Sequence, residues 1–481
     1  MTFRRMQLWS AAAIMALLPS WASAAADGAS TAAATPTAAA TPAAAAASSG
    51  EEQKPDANPP TSPLAIHVGD ADLLIGGFMD ATMIARDVFT GNGLGTSFGG
   101  NPFSNSPNGN INETRFSTQN SRLTLQATSK VPGGGSVKGY LEADFLGNAP
   151  NGLNVTSNSN TLRMRLYWVQ FTSGKFEFLG GQSWSMMTPN RNGLSPMPGD
   201  IFYSQDVDTN YQMGLTWGRT TQFRFIAHAS DAVTAGLSLE NPEQYIGSGV
   251  TLPSAFPAFQ LDAGGVATNV PNPYPDIIGK VAFDPKTGKT HQHIDAAFLV
   301  RGYKALPTAT STSANTATGT GEEINAVLEP VHNFRIVANY FNSDGGGRYI
   351  ANTNTPDLVV AGDGSLSTVK SHSFIVGPEV QAKNTLLYFY YSETHADSNV
   401  VIDTNGKAIG FGVPGSTASN AKITEPTVGL TQTFFRDPKI GGMQMMIQYS
   451  RLERTPFSVP AGTPSSAKLN MVYVNVRYLL P

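Results

Sequence analysis

Leu162-Arg163-Met164-Arg165-Leu166-Tyr167-Trp168 changes character at every step. An extended chain sends successive side chains to opposite faces, so this stretch reads as a strand. Leu162, Met164, Leu166 and Trp168 take one face; Arg163, Arg165 and Tyr167 take the other. Such a strand suits a soluble sandwich as well as a membrane wall, and the separators between strands tell the two apart. From Leu73 onward, alternating segments are divided by Gly-, Asn-, Pro- and Asp-rich stretches that are by turns short and long. The short ones are 132–135, 173–174, 218–220, 284–289, 330–333, 382–384 and 436–440. The long ones cover 89–113, 148–159, 187–207, 241–274, 305–320, 344–367, 397–419 and 455–466. Tight turns at one end and long loops at the other are the pattern of a bacterial outer-membrane barrel.

The strand count rests on parity. Residues 221–240 divide at Ser230-Asp231 only by placing a tight turn on the long-loop side and giving an odd total of 17. Undivided, Phe223, Phe225, Ala227, Ala229, Val233, Ala235, Leu237 and Leu239 share one face, and the total is 16 with both ends in the periplasm, as single-chain bacterial barrels require. Residues 208–217, between a long loop and the separator at 218–220, count as a strand in this tally. The fold class is therefore all-β, a transmembrane antiparallel β-barrel of 16 strands over 71–481, wide enough for an aqueous channel.

Upstream, Arg4 and Arg5 precede an apolar stretch from Leu8 to Leu18 and the small residues Ala22-Ser23-Ala24. This is the layout of a cleavable secretory signal over 1–24, with an apolar core too short to cross about 30 Å of hydrocarbon. Residues 25–70 read as a disordered periplasmic linker: 25–63 are Ala, Pro, Thr and Ser around Glu51, Glu52 and Lys54, a composition that cannot bury enough apolar surface to fold alone. The chain has 48 Gly, 25 Phe, 15 Tyr and no Cys, so disulfides do not staple it. Its formal charge of −4 becomes −6 once Arg4 and Arg5 leave, which argues against nucleic acid as a partner.

If the apolar faces meet outer-membrane lipid, the polar faces meet the lumen. On that face the alternation puts Arg122, Lys138, Glu142, Asp144, Arg163, Arg165, Tyr167, Gln182, Arg224, Arg301 and Arg335 as pore-lining residues. They serve equally as a network that stiffens the wall or as a charged ring that selects solutes. Arg122, Arg163, Arg165 and Arg224, set against Glu142 and Asp144, would favour anions. The third long loop, with Asn190, Arg191, Asp200 and the stiffening Pro196 and Pro198, is the candidate constriction. Trp168, Trp217 and Tyr340 stand at strand ends as an aromatic girdle.

The chain resembles the DcaP-like family of trimeric outer-membrane porins. The similarity lies in Gly139-Tyr140-Leu141-Glu142-Ala143-Asp144-Phe145, in the 162–168 stretch, in Gly180-Gly181-Gln182-Ser183-Trp184-Ser185 and in Leu237-Ser238-Leu239-Glu240-Asn241-Pro242-Glu243. It covers mainly 70–245. The resemblance implies a homotrimer of 16-stranded barrels passing small solutes with a preference for anions such as dicarboxylates, and Arg163 and Arg165 on the pore wall. Family members carry a helical coiled-coil extension before the barrel; the Ala/Pro-rich stretch here lacks heptads, so that feature is not carried over.

Little else suggests chemistry. Ser183 and Ser185 have no sequence-paired base. His291, His293 and Asp295 share a strand face and could clamp a metal, but a solvated lumen edge is the simpler reading. No cofactor, metal or catalytic residue is assigned. The reading is an outer-membrane porin, a water-filled channel for passive diffusion of small hydrophilic anionic or neutral solutes. An adhesive or enzymatic barrel is the alternative.

Overall fold

The computed structural model describes residues 62–147, 161–200, 207–263 and 270–481. The signal and most of the linker fall outside the described residues. Sixteen antiparallel strands close into one wall. They are β1 Ala71–Arg86, β2 Arg122–Lys130, β3 Ser136–Asp144, β4 Arg163–Ser173, β5 Phe176–Trp184, β6 Arg219–His228, β7 Val233–Glu240 and β8 Asp276–Phe283. The second half comprises β9 Gln292–Ala305, β10 Asn315–Val331, β11 Phe334–Asp344, β12 Lys370–Ala382, β13 Thr385–Ala396, β14 Asn420–Asp437, β15 Gly441–Pro456 and β16 Ala467–Leu479. β16 pairs with β1 from Phe78↔Leu479 to Arg86↔Met471, which leaves no open edge. Residues Ala65–Val68 add a strand against the start of β1, so the last part of the stretch read as linker is ordered.

Two strand assignments differ from the sequence reading, and they cancel. Residues 221–240 are a hairpin, β6 and β7, turning at 229–232 with Ser230 N–H bonded to Val233 O at 3.2 Å. Paired positions have numbers of equal parity, Phe223 with Leu239 and Phe225 with Leu237. Alternation therefore runs through the turn without a break, and pattern alone cannot see it. Residues 208–217 are no wall strand but the returning limb of the third long loop. The total stays at 16.

The wall obeys two-residue alternation with β-branched and aromatic residues, as a pleated, half-buried surface demands. Leu387, Phe389, Val376 and Val428 face outward and are exposed, the belt that lipid covers. Tyr388 and Tyr390 face inward and are buried. Gly429 makes room for the former, because a Cβ there would fall 2.1 Å from the Tyr388 ring. Above the wall the long loops pack on one another. A three-stranded sheet of Val250–Thr251, Ala408–Phe411 and Asn399–Ile402 and a hairpin of Leu358–Val360 and Leu366–Thr368 lie there. Ile246, Phe256, Leu261, Leu358 and Val360 form part of their core.

Candidate functional site

The lumen is occupied by the loop between β5 and β6. Trp184, Tyr211 and Leu215 from its two limbs are buried in one cluster with Tyr140, Leu166, Trp168 and Leu179 of β3–β5. The same cluster includes Val327, Val337, Ile375, Leu386, Tyr388 and Tyr390 from the opposite wall. A second part of the loop, Met186, Met187 and Leu194, packs against Ile226, Ile278, Ala297, Leu299 and Phe341. The loop thus bridges the barrel, and apolar burial on both sides holds it there. Asp200 closes a short 3-10 turn, Pro198–Asp200, within it.

On the β2–β5 side the wall is rich in arginine. A β-bulge in β4 pairs Glu142 with Leu166 and Ala143 with Met164, which leaves Arg165 as the extra residue. Arg163 and Arg165 point inward; past the bulge the phase flips. Leu166 and Trp168 are then inside, Trp168 only 4 % exposed, while Tyr167 is 56 % exposed on the outer face. Tyr167 is therefore not a lumen residue, and Gln182, opposite it in β5, faces outward with it. Trp168 is not a girdle residue, nor is Trp217, which packs inside the loop cluster. Tyr340 does face outward. Gly181, with φ +137, lets Trp168 lie across β5, since a Cβ there would sit 2.6 Å from Trp168 Cα.

Arg165 bonds Glu142, Asp144 (Nη1 to Oδ2, 2.9 Å) and the Tyr211 hydroxyl (Nη2, 3.0 Å). Arg163 grips Asp144 at 3.0 and 2.6 Å, Arg122 lies 3.6 Å from Glu142 and Arg477 bonds Asp80 at 2.9 Å. Arg122 and Arg477 both stack over Phe78. Arg219 lies over Trp184 and Trp217, 5.3 Å from each ring, and among the described residues its Nη1 has no hydrogen-bond partner. Among the described residues this cluster, which draws Arg219 from β6, Arg477 from β16 and Asp80 from β1, sets five guanidiniums against the carboxylates of Asp80, Glu142 and Asp144. Sequence reading passed over Arg219 and Arg477; Arg477 was visible as the inward member of the Tyr473, Asn475, Arg477 alternation.

Elsewhere acids of the lumen wall and its turns hold the loop. Glu240 accepts from Met186 N–H at 2.8 Å, Asp295 from Asn190 N–H at 3.2 Å, Asp284 from Gly193 N–H at 3.2 Å and Glu425 from Met213 N–H at 2.9 Å. Lys280, between Asp295 at 3.0 Å and Glu323 at 3.6 Å, donates to Thr188 O at 3.0 Å. Arg191 reaches Glu379 on β12 at 2.5 and 3.1 Å, and Arg335 meets the same carboxylate at 2.9 Å. Arg224 bonds Gln222 and Trp184 O. Arg301 is buried under the outer loops, bonded to Asp276 and to Asp357 at 2.8 Å. His293 is buried between the carboxylates of Asp284 and Asp295 rather than at a solvated edge.

Accessibility varies along the wall rather than from side to side, since Arg122, Glu142, Asp144 and Arg165 of β2–β4 are buried as deeply as the residues facing them. Toward the periplasmic turns of β2 and β3 the lumen-facing Thr124, Gln126, Thr128 and Lys138 are only half-buried, and the Arg163 side chain keeps 35 % exposure. On β8–β13 Lys280, Asp295, Glu323, Asn325, Asn339 and Tyr388 are all buried beneath the loop.

A closed 16-stranded barrel with an outward apolar belt, tight turns at one end and an inward-folded loop is a transmembrane barrel of the bacterial outer membrane. Among solved structures the fold is similar to that of the outer membrane channel DcaP of Acinetobacter baumannii, with 17 % identity, 86 % of this chain and 98 % of that chain covered and a TM-score of 0.61. The resemblance read from the sequence motifs is thus matched by the fold. An anion-selective porin from Comamonas acidovorans aligns at 12 % identity over 85 % of this chain and 99 % of that one, TM-score 0.47. OmpT of Vibrio cholerae aligns at 11 %, over 86 % and 99 %, TM-score 0.45. No family model and no curated protein matches the chain.

Proposed function

We propose that the protein is a diffusion channel of the outer membrane that passes small hydrophilic solutes with a preference for anions, dicarboxylates among them, and works as a homotrimer without enzymatic activity. The observation that carries this reading is a charge imbalance in the lumen wall. Around Arg165, with Arg219 of β6 and Arg477 of β16 counted in, guanidiniums outnumber carboxylates among the described residues, while other acids of the lumen are engaged with loop backbone and paired cations. The passage runs on that side, along Thr124, Gln126 and Lys138 and past Arg163, where side chains keep access to water. A narrow, low-dielectric passage with net positive walls raises the local concentration of anions. Ser183 and Ser185 are buried, and among the described residues neither is hydrogen-bonded to a histidine or carboxylate that would activate it.

Single-channel recording of the refolded protein in a planar bilayer under a KCl gradient tests the reading. Current closing in three equal steps with a reversal potential on the chloride side is expected. A folded, heat-modifiable barrel with no discrete conductance would move the weight to an adhesive or enzymatic barrel.

A further inference from the structure

The tip of the inner loop is fastened to the wall at one histidine. His293 Nδ1 lies 2.7 Å from Asp284 Oδ1 and Nε2 lies 2.9 Å from Asp295 Oδ2. Each of those carboxylates also accepts from the loop: Asp284 from Gly193 N–H, Asp295 from Asn190 N–H. Asn325 donates to Asn190 O at 2.7 Å and to Asp295 at 2.9 Å, which ties the same point again. Two ionised carboxylates can only accept, so both ring nitrogens must donate, and the ring that satisfies this geometry is the imidazolium.

We propose that Asp284, His293 and Asp295 form a pH-operated latch that holds the inner loop across the lumen. It is closed while the imidazole carries both protons and released at the Asp284 arm when it loses one. The two arms differ in strength. Asp295 is fully buried and is also held by Lys280 at 3.0 Å and by Asn325. Asp284 lies at the turn after β8 with its side chain 18 % exposed, and among the described residues its other side-chain partner is Gly193. A neutral ring keeps one donor and turns a lone pair on the other carboxylate; the weaker arm yields, and Gly193 goes with it. The charged groups around the latch are Lys280 and, beyond it, Glu323 on the wall, with Arg191 on the loop engaged by Glu379 and capped by His291 at Arg191 O. None of these bonds His293 directly, so the ring's charge answers to its two aspartates.

The loop carries its own reporter. Trp184 and Trp217 bracket it and Trp168 lies against it, and these are the three tryptophans among the described residues. Tryptophan fluorescence of the purified barrel in detergent is recorded between about pH 5 and 9 beside bilayer conductance. A single-proton transition is expected in both, with conductance rising on the alkaline side. His293→Gln, which cannot donate on both sides, is expected to abolish the transition and hold the released state at every pH. Asp284→Asn keeps the shape but removes one charge and should lower the midpoint by about one pH unit, which keeps the test open if the first variant fails to fold. Flat fluorescence in the unmodified protein, or an unchanged transition in His293→Gln, overturns the latch. Only the conductance arm rests on the channel reading: a fluorescence transition lost in His293→Gln with no conductance at any pH supports the latch and sinks the open channel.

Discussion

Around Arg165, carboxylates of the described residues are outnumbered and bonded to guanidiniums; on the β8–β13 side, Asp284 and Asp295 are bonded to the backbone of the loop and Glu379 to its Arg191. Both sides carry buried charge, and buried charge is costly wherever it lies unpaired. On the first side the pairing is charge to charge, leaves Arg219 Nη1 without a hydrogen-bond partner among the described residues and keeps Arg163 and Lys138 partly open to water. On the second the pairing consumes the charges and seats the loop. The same residue types thus give solute contact on one wall and mechanical fastening on the other, and what decides is whether the acid's partner belongs to the wall or to the loop.

That contrast can be broken or sharpened by experiment. The largest effect is expected from Arg165→Gln, which leaves Glu142 and Asp144 buried without their shared cation: about 3–5 kcal/mol of lost stability, read as a drop in the urea midpoint of the heat-modifiable form. Arg219→Gln, beside it, removes a guanidinium whose Nη1 has no hydrogen-bond partner among the described residues. Its urea midpoint should stay near that of the unmodified protein, while the anion-to-cation permeability ratio falls by roughly two- to threefold. A large loss of stability there would mean that Arg219 is fastening, not solute contact.

A smaller, pH-dependent effect is expected outside both walls. Glu243 in the outer loops is pushed up to about 8, first by burial and then by its hydrogen bond to Asp262, with Arg348 at 3.2 Å opposing. Its folded state holds the proton more tightly than the unfolded chain does. The stability it adds is therefore complete below the ordinary carboxylate range and fades as pH rises to and past 8. Hydrogen exchange within 241–263, corrected for intrinsic rate, should quicken between about pH 5 and 9 and lose that trend in Glu243→Gln. The smallest effect is an absence: brominated lipids should leave the emission of Trp168, Trp184 and Trp217 nearly unchanged, whereas a Tyr340→Trp reporter on the outer face should be quenched.

Most of the wall could be read from alternation, because one face of every strand meets lipid. The inner face of β2 and β3, with Arg122, Lys138, Glu142 and Asp144, follows the pattern without interruption. Failures came where the period slips or where it is blind. The bulge at Arg165 moved Tyr167 outside and Trp168 inside, and a bulge has no signature in two-residue alternation. The β6–β7 hairpin stayed hidden because its cross-strand partners share parity. The returning limb at 208–217 looked like a strand because an inner loop, wedged between two walls, is as apolar as a strand. The loop clamps were illegible for a different reason: Glu240, Asp284 and Glu425 bind backbone amides far away in sequence, and an amide carries no mark of identity.

That last feature divides what the loop is from where it is. Glu240, Asp295, Asp284 and Glu425 grip the N–H groups of Met186, Asn190, Gly193 and Met213, which every amino acid but proline supplies. Part of the loop's address is thus written in the barrel, and those loop side chains that neither pack against a wall nor pair with it remain free to vary. A lineage, or a designer, could therefore rewrite the chemistry a solute meets, one loop residue at a time, without having to reinvent the scaffold that presents it.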